Sequence, residues 1–282
     1  MSQSLEHPNL KYLRKGALPH MFCPGCACGQ IMTNFLYAID NLGLDPDKIV
    51  TIGGVGCTAR IPAYLNMDAI HGIHGRTLGF ATGVTLANPE LTVVIITGDG
   101  DAAAIGGNHL IQAARRNLDV TLIVNNNGSF AMTGGQVSPV TPTGATTTTT
   151  TRGNIETPFD LCKLVEAAGG TYISRWTTAH SAQLVNAIKE GITHKGFSFI
   201  EVVGQCPTIY GRYCLGLSEP IDNLNWLKNN SITKAQAEKM NPENLVDRII
   251  VGNFVKKERL TLNERYEALE SKVHSRGLKK NG

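Results

Sequence analysis

The stretch TVVIITGDGD, Thr92–Asp101, decides the reading of the fold. Its first six residues, Thr92–Thr97, are apolar or β-branched throughout, the pattern of a strand buried on both faces of a parallel sheet. A turn, Gly98-Asp99-Gly100, closes it. The periodicity then predicts a helix from Ala102 to Asn117 and a second buried strand over Val120–Asn125 (VTLIVN). Such a unit leaves a carboxylate at the C-terminal end of one strand and amides just past the next, in Asn125-Asn126-Asn127-Gly128-Ser129. That edge is where open parallel sheets bind ligands.

Outward from this unit the alternation persists. Helices are expected at Gln30–Leu42, Thr77–Ala87, Pro158–Ala168 and Ala179–Thr193, and strands at Ile49–Ile52, Thr171–Ser174 and Phe197–Val203. Strands alternating with helices imply a doubly wound, mostly parallel α/β sheet. From about Gly216 the chain turns polar and charged, with helical stretches at Asn223–Asn229 and Glu258–His274. The expected organisation is a lead-in (residues 1–21), one domain (22–215) and a C-terminal helical tail (216–282).

The totals narrow the class of protein. With 282 residues, 42% hydrophobic and 17% charged, the chain is ordinary for a globular protein. A net charge of +3 is too small to argue for nucleic acid. The N-terminal stretch MSQSLEHPNLKYLRKG has no apolar signal core, and no run is long enough to span a bilayer, so a cytoplasmic location without membrane contact is expected. Seven cysteines in such a compartment argue for metal or redox chemistry over structural disulfides.

The chemistry of the central turn follows from its residue types. Asp99 stands where backbone N–H groups would cradle phosphates, yet a carboxylate repels a phosphate. A hard cation between them resolves the conflict. Magnesium takes oxygen ligands and binds through few protein groups plus substrate phosphates. The Asp99 carboxylate, the Asn127 amide oxygen and a main-chain carbonyl at Ser129 would supply one face of its octahedron. Gly98-x-Gly100-x-x-Ala103 also fits a dinucleotide-binding turn, but Asp119 precedes the second strand instead of ending it. The arrangement resembles the thiamine diphosphate motif, which opens on Gly-Asp-Gly and closes on paired asparagines. Gly98, Gly100 and Asp101 belong to the same candidate cofactor turn.

The first cysteine cluster is Phe22-Cys23-Pro24-Gly25-Cys26-Ala27-Cys28. A thioredoxin-like dithiol needs a strand before it, and none is evident; a zinc site needs a second pair at usual spacing, and none follows. An iron–sulfur cluster needs two more cysteines from anywhere in the chain. Cys57, in the turn Gly53-Gly54-Val55-Gly56-Cys57, and Cys206, in Gly204-Gln205-Cys206-Pro207, both follow strands at the edge that carries Asp99. Cys28 and Cys214 are alternative ligands, and Cys162 reads as a buried apolar residue.

Three further groups are candidates. Arg60, three residues past Cys57, is placed to meet a substrate carboxylate at the mouth of the site. His74, Gly75 and Arg76 precede the helix Thr77–Ala87, where a diphosphate would be favoured. Met132 and Thr133 open a long aperiodic loop expected to cover a cofactor.

The stretches FCPGC, GGVGCTAR, HGIHGRTLGFATG, TGDGDAAAIGGNH, NNNGSFAMTGGQ with SPVTPTG, NIETPFDLC and GFSFIEVVGQCPT together resemble the β subunit of the 2-oxoacid:ferredoxin oxidoreductases, closest to the 2-oxoglutarate type. They span Phe22 to Thr208; Ala27-Cys28 departs from the usual glycine and variable residue. The resemblance implies a thiamine-diphosphate-binding fold and oxidative decarboxylation of 2-oxoglutarate with coenzyme A, giving succinyl-CoA and CO2. Electrons would pass through a 4Fe–4S cluster to ferredoxin. It assigns the cluster to Cys23, Cys26, Cys57 and Cys206, and Mg2+ to Asp99, Asn127 and the Ser129 carbonyl. It places thiamine diphosphate against Gly56, Cys57, His74, Gly75, Arg76, Met132 and Thr133, with Arg60 and His74 catalytic. It also implies an α subunit that supplies the glutamate activating the thiamine ring; the polar tail, which lies outside the resemblance, is expected from its composition to be a subunit-docking arm or a solvated surface helix.

Overall fold

A computed structural model describes residues 7–278; the first six residues of the lead-in and the last four of the tail lie outside the described residues. Ten strands form: β1 (Ile49–Gly53), β2 (Asp68–His71), β3 (Thr92–Gly98), β4 (Val120–Asn126), β5 (Ser129–Phe130), β6 (Gln136–Val137), β7 (Tyr172–Thr177), β8 (Phe197–Val203), β9 (Ser231–Thr233) and β10 (Ile249–Lys256). Eight of them make one sheet in the order β2-β1-β3-β4-β8-β7-β10-β9. Every pairing is parallel except β10 with β7. β5 and β6 form a separate small hairpin.

The α-helices are α1 (Ala27–Leu42), α2 (Thr77–Ala87), α3 (Gly107–Arg116), α4 (Leu161–Ala167), α5 (Ser181–Thr193), α6 (Pro220–Asn230), α7 (Lys234–Ala237) and α8 (Leu262–Leu278). α1 and α5 cover one face of the sheet, where Phe35, Ile39, Leu184 and Ile188 pack with Ile96 and Ile123. α2, α3 and α4 cover the other, where Leu78, Leu110 and Leu161 meet Ile95 and Leu122. The central strands alternate between these layers, so both faces of β3 and β4 are apolar, which is why their sequence reads as a continuous hydrophobic run.

Two expectations change. The helix expected from Ala102 begins instead as a π-helical turn, Gly100–Ile105, before α3 starts at Gly107. The tail is not purely helical: β10 pairs with β7 and carries β9 with it, so the segment after 216 completes the sheet. Its strand signal is weak because Gly252 interrupts the apolar run and burial along β10 is uneven. Asn117 fastens the far end of this segment: its side-chain N–H donates to the Arg259 carbonyl at 2.7 Å, and the Arg259 guanidinium donates to Ala114 O at 2.8 Å.

Between β1 and β3 the winding reverses: the chain leaves β1 toward β2 and later returns on the other side of β1 to form β3. The loops leaving their C-terminal ends diverge there and open a crevice.

Candidate active site at the strand C-termini

A cleft of about 100 Å³ occupies that crevice. Four loops wall it: Val55–Thr58 after β1, His74 after β2, Gly98–Asp101 after β3, and Asn127 with Ser129–Thr133 after β4. Gly56, Cys57, His74, Gly98, Asp99, Gly100, Asp101, Asn127, Ser129, Met132 and Thr133 therefore meet in one place. Gly75 and Arg76 stand beside the wall; the Arg76 guanidinium turns to the carbonyl of Ile105 at 3.2 Å. Arg60 is exposed on the helical turn that follows Cys57.

Asp99 and Asp101 lie two residues apart and do different work. Asp99 is 2% exposed, and burial pushes its carboxyl up to about 7, against hydrogen bonds from Ser138 and from the backbone at Asp99, Gly100 and Asn127. Ser138 Oγ donates to Asp99 Oδ2 at 2.6 Å. A buried carboxylate with no cationic side chain on it is costly unless a cation completes it. The neighbouring Ser129 hydroxyl is buried without a partner. This donor set of oxygens, gathered around a buried acid, fits a hard divalent ion.

Asp101 is turned inward, and its oxygens are occupied. Thr97 Oγ1 donates to Oδ2 at 2.7 Å, while the N–H groups of Gly75 and Val55 donate to Oδ1 at 2.8 and 3.2 Å. His74 Nδ1 lies 2.6 Å from the same oxygen. One carboxylate thus ties together the loops after β1, β2 and β3. Gly75 has φ +70°, which lets its N–H aim at Asp101 with no side chain in the way.

The loop after β4 is held by its own side chains. Asn126 Oδ1 accepts from Gly128 N and Asn127 Oδ1 from Ser129 N, each at 3.2 Å. Asn126 Nδ2 donates to buried Glu201 at 2.7 Å. Gly128 has φ +76°, and a β-carbon there would press on the Tyr210 ring at 2.8 Å. Thr141 Oγ1 donates to Gly128 O at 2.6 Å and Asn154 Nδ2 to Thr141 O at 2.9 Å, so the long loop is built as an ordered cover. Ser138, Thr141 and Asn154 were not singled out from sequence; only their place in the SPVTPTG and NIETP stretches marks them.

Four of the cysteines lie near one another, with Cys57 in the wall of this cleft. Gln205 stitches two of their loops: its Nε2 donates to Gly25 O and to Gln30 Oε1, each at 2.9 Å, and its carbonyl accepts from Ala27 N. Burial pushes the Cys57 thiol up to about 11, and Cys26, Cys206 and Cys23 each add to that. Cys206 is raised by burial and again by Cys26 and Cys23. Cys23, Cys26, Cys57 and Cys206 thus lie within electrostatic reach of one another. Among the described residues no group of three or more His, Cys, Asp and Glu is gathered to hold a metal ion. By its chemistry, a set made of thiols alone fits an iron–sulfur cluster. Cys162 is buried against Glu201, away from this group.

Residues 54–202 match the family model of the thiamine pyrophosphate enzymes' C-terminal TPP-binding domain. The chain is 50% identical to the 2-oxoglutarate synthase subunit KorB of Methanocaldococcus jannaschii over 95% of this chain and 99% of that one. It is 49% identical to the KorB subunit of Methanothermobacter marburgensis, over 95% and 94% of the two chains. Among solved structures, the 2-oxoglutarate:ferredoxin oxidoreductase of Magnetococcus marinus, with 2-oxoglutarate, coenzyme A and succinyl-CoA bound, superposes with a TM-score of 0.84. The identity there is 26%, over 97% of this chain and 93% of the other. With its thiamine-type cleft at the β1–β3 crevice, the chain belongs to the thiamine-diphosphate-binding KorB family of 2-oxoglutarate synthase subunits.

Proposed function

We propose that the chain is the β subunit of a 2-oxoglutarate:ferredoxin oxidoreductase that converts 2-oxoglutarate and coenzyme A to succinyl-CoA and CO2. The observation that carries this reading is the convergence of Asp99, Asn127, Ser129 and Cys57 on a single cleft. Thiamine diphosphate would supply the carbanion chemistry, and a 4Fe–4S cluster the one-electron acceptor. Asp99, Asn127 and the Ser129 carbonyl would hold Mg2+, and Cys23, Cys26, Cys57 and Cys206 the cluster. Cys57 borders both the cleft and the thiol group, which keeps the path for electrons short.

The chain's own residues also exclude water. Met132 and Phe130 bring apolar surface to the wall, and the ordered loop from Ser138 to Asn154 closes over the β4 turn. The acids of the wall are Asp99 and Asp101, and the cleft lining holds no glutamate among the described residues. An activating glutamate would therefore come from an α subunit, with the site completed at the interface. Ferredoxin is the expected electron acceptor.

The test is iron, acid-labile sulfide and thiamine content of the anaerobically purified complex. About four irons and one thiamine per chain are expected. Thiamine without iron would move the chain to a non-redox thiamine enzyme. Turnover of 2-oxoglutarate by the chain alone would refute the shared site.

A further inference from the structure

Glu201 is a buried acid that the cleft chemistry does not use: it stands in β8, is 2% exposed and lies outside the cleft lining. Arg175 on β7 and Val124 on β4 are its partners in register. Asn126, two residues beyond Val124, projects from the same face of the sheet. Three side chains donate to the Glu201 carboxylate: Arg175 Nε to Oε2 at 2.7 Å, the Cys162 thiol to Oε2 at 3.3 Å, and Asn126 Nδ2 to Oε1 at 2.7 Å. Arg175 is held in turn by Asp160, whose Oδ1 accepts from its guanidinium at 2.6 Å and from Lys163 N at the start of α4. This ionic network reaches the cleft through Asn126. The Asn126 Oδ1 accepts from Gly128 N at 3.2 Å, inside the turn that carries Asn127 and Ser129 to the cleft.

What each group can do fixes the direction of these bonds. An ionised carboxylate only accepts, whereas a primary amide has one accepting and one donating end. Glu201 therefore takes the Nδ2 end of Asn126 and leaves Oδ1 for Gly128. The reversed amide would aim Nδ2 at the Gly128 N–H, donor against donor, and open the turn. Of the two contacts the one to Glu201 governs, because a bond to a charged acceptor is stronger than one between neutral groups. It is also the shorter, at 2.7 Å against 3.2 Å.

We infer that Glu201 is a positioning residue: by fixing which way the Asn126 amide faces, it shapes the turn that presents Asn127 and Ser129 to the cleft. It acts from behind that turn and through Asn126 alone. The inference rests on the assignment of the turn to Mg2+ and thiamine diphosphate under Proposed function.

The experiment is a reciprocal exchange, read by calorimetric titration of the cofactor-free complex with Mg2+ and thiamine diphosphate, with gel filtration as the check on assembly. In Glu201→Gln the one carbonyl oxygen goes to the Arg175 guanidinium, the stronger donor, so an NH2 group faces Asn126 and turns its amide round. Binding should weaken about tenfold, the scale of one hydrogen bond to a charged group. Asn126→Asp sets a second carboxylate against Glu201 and should weaken binding at least as much. Combining the two substitutions restores the pattern: the new carboxylate at position 126 accepts from the new amide at position 201 and from Gly128 N. Binding by the double variant should return to within about threefold of the parent, a coupling that independent sites would not show. Unchanged binding in Glu201→Gln overturns the inference. A double variant no better than either single one also overturns it, since lost packing would not be repaired by a second substitution. If Glu201→Gln fails to assemble, the double variant decides: it should assemble and bind as the parent does, and failure overturns the inference. A parent complex that takes up no thiamine diphosphate refutes the assignment beneath it instead.

Discussion

Ser138 reaches across from the covering loop and donates its hydroxyl proton to Asp99 Oδ2 at 2.6 Å, so the cover and the central acid are one hydrogen-bonded unit. Both side chains are buried, at 4% and 2% exposure. The bond favours the ionised carboxylate, the form that would bind a cation. Ser138→Ala should therefore weaken binding of Mg2+ with thiamine diphosphate about tenfold, the scale of one charge-assisted hydrogen bond. Calorimetric titration of the cofactor-free complex checks this, and iron content should not move.

Asp101 supports the site from behind. Its removal leaves the Thr97 hydroxyl and the Gly75 and Val55 N–H groups without their acceptor. Asp101→Ala is expected to cost about 3 kcal/mol or more of stability, since several buried donors lose their partner at once. Asp101→Asn keeps one acceptor oxygen and should cost less. Thermal unfolding of the complex separates the two.

The acid limb of stability has a local contributor. Burial raises the Asp160 carboxyl, but the Arg175 guanidinium, 2.6 Å away, outweighs this and holds it below its usual value of 3.8. A depressed carboxyl contributes stability above its unfolded-state value and loses it as pH falls through the folded value. The difference in melting temperature between the parent and Asp160→Asn should be constant above about pH 5 and shrink below about pH 4. A difference that persists at pH 3 would show that the ion pair is not its source.

Arg60 is exposed on the helical turn after Cys57 and is the proposed selector of substrate. If it pairs with the distal carboxylate of 2-oxoglutarate, Arg60→Ala should lower kcat/KM for 2-oxoglutarate at least tenfold more than for pyruvate, which lacks that group. Equal losses would remove Arg60 as the selector.

What could be read from residue order was what burial dictates. α2 and β8 begin and end where the apolar pattern says, because both faces or one whole stripe of each is covered. β2 was not legible: Asp68–His71 is an edge strand with three exposed residues, and its pairing to β1 comes from position, not pattern. The π-turn at Gly100–Ile105 was likewise hidden, since a helical sequence does not announce which carbonyl its N–H groups choose. The Gly-Asp-Gly turn and the asparagines pointed to the cleft because their residue types have few other uses. Ser138 did not, because a serine in an aperiodic loop has many. The opposite orientations of Asp99 and Asp101 are set by the turn's local geometry, which no spacing rule encodes.

β10 has a consequence for how the molecule can be taken apart. It covers β7, whose outer side would otherwise present a row of open backbone donors and acceptors. A chain ended at residue 216 would keep every residue that lines the cleft and yet carry a sticky border. Such a fragment should self-associate through that border instead of surviving as a minimal catalytic module. The last quarter of the sequence is thus a selvedge, the finished edge that keeps the woven sheet from catching on its neighbours.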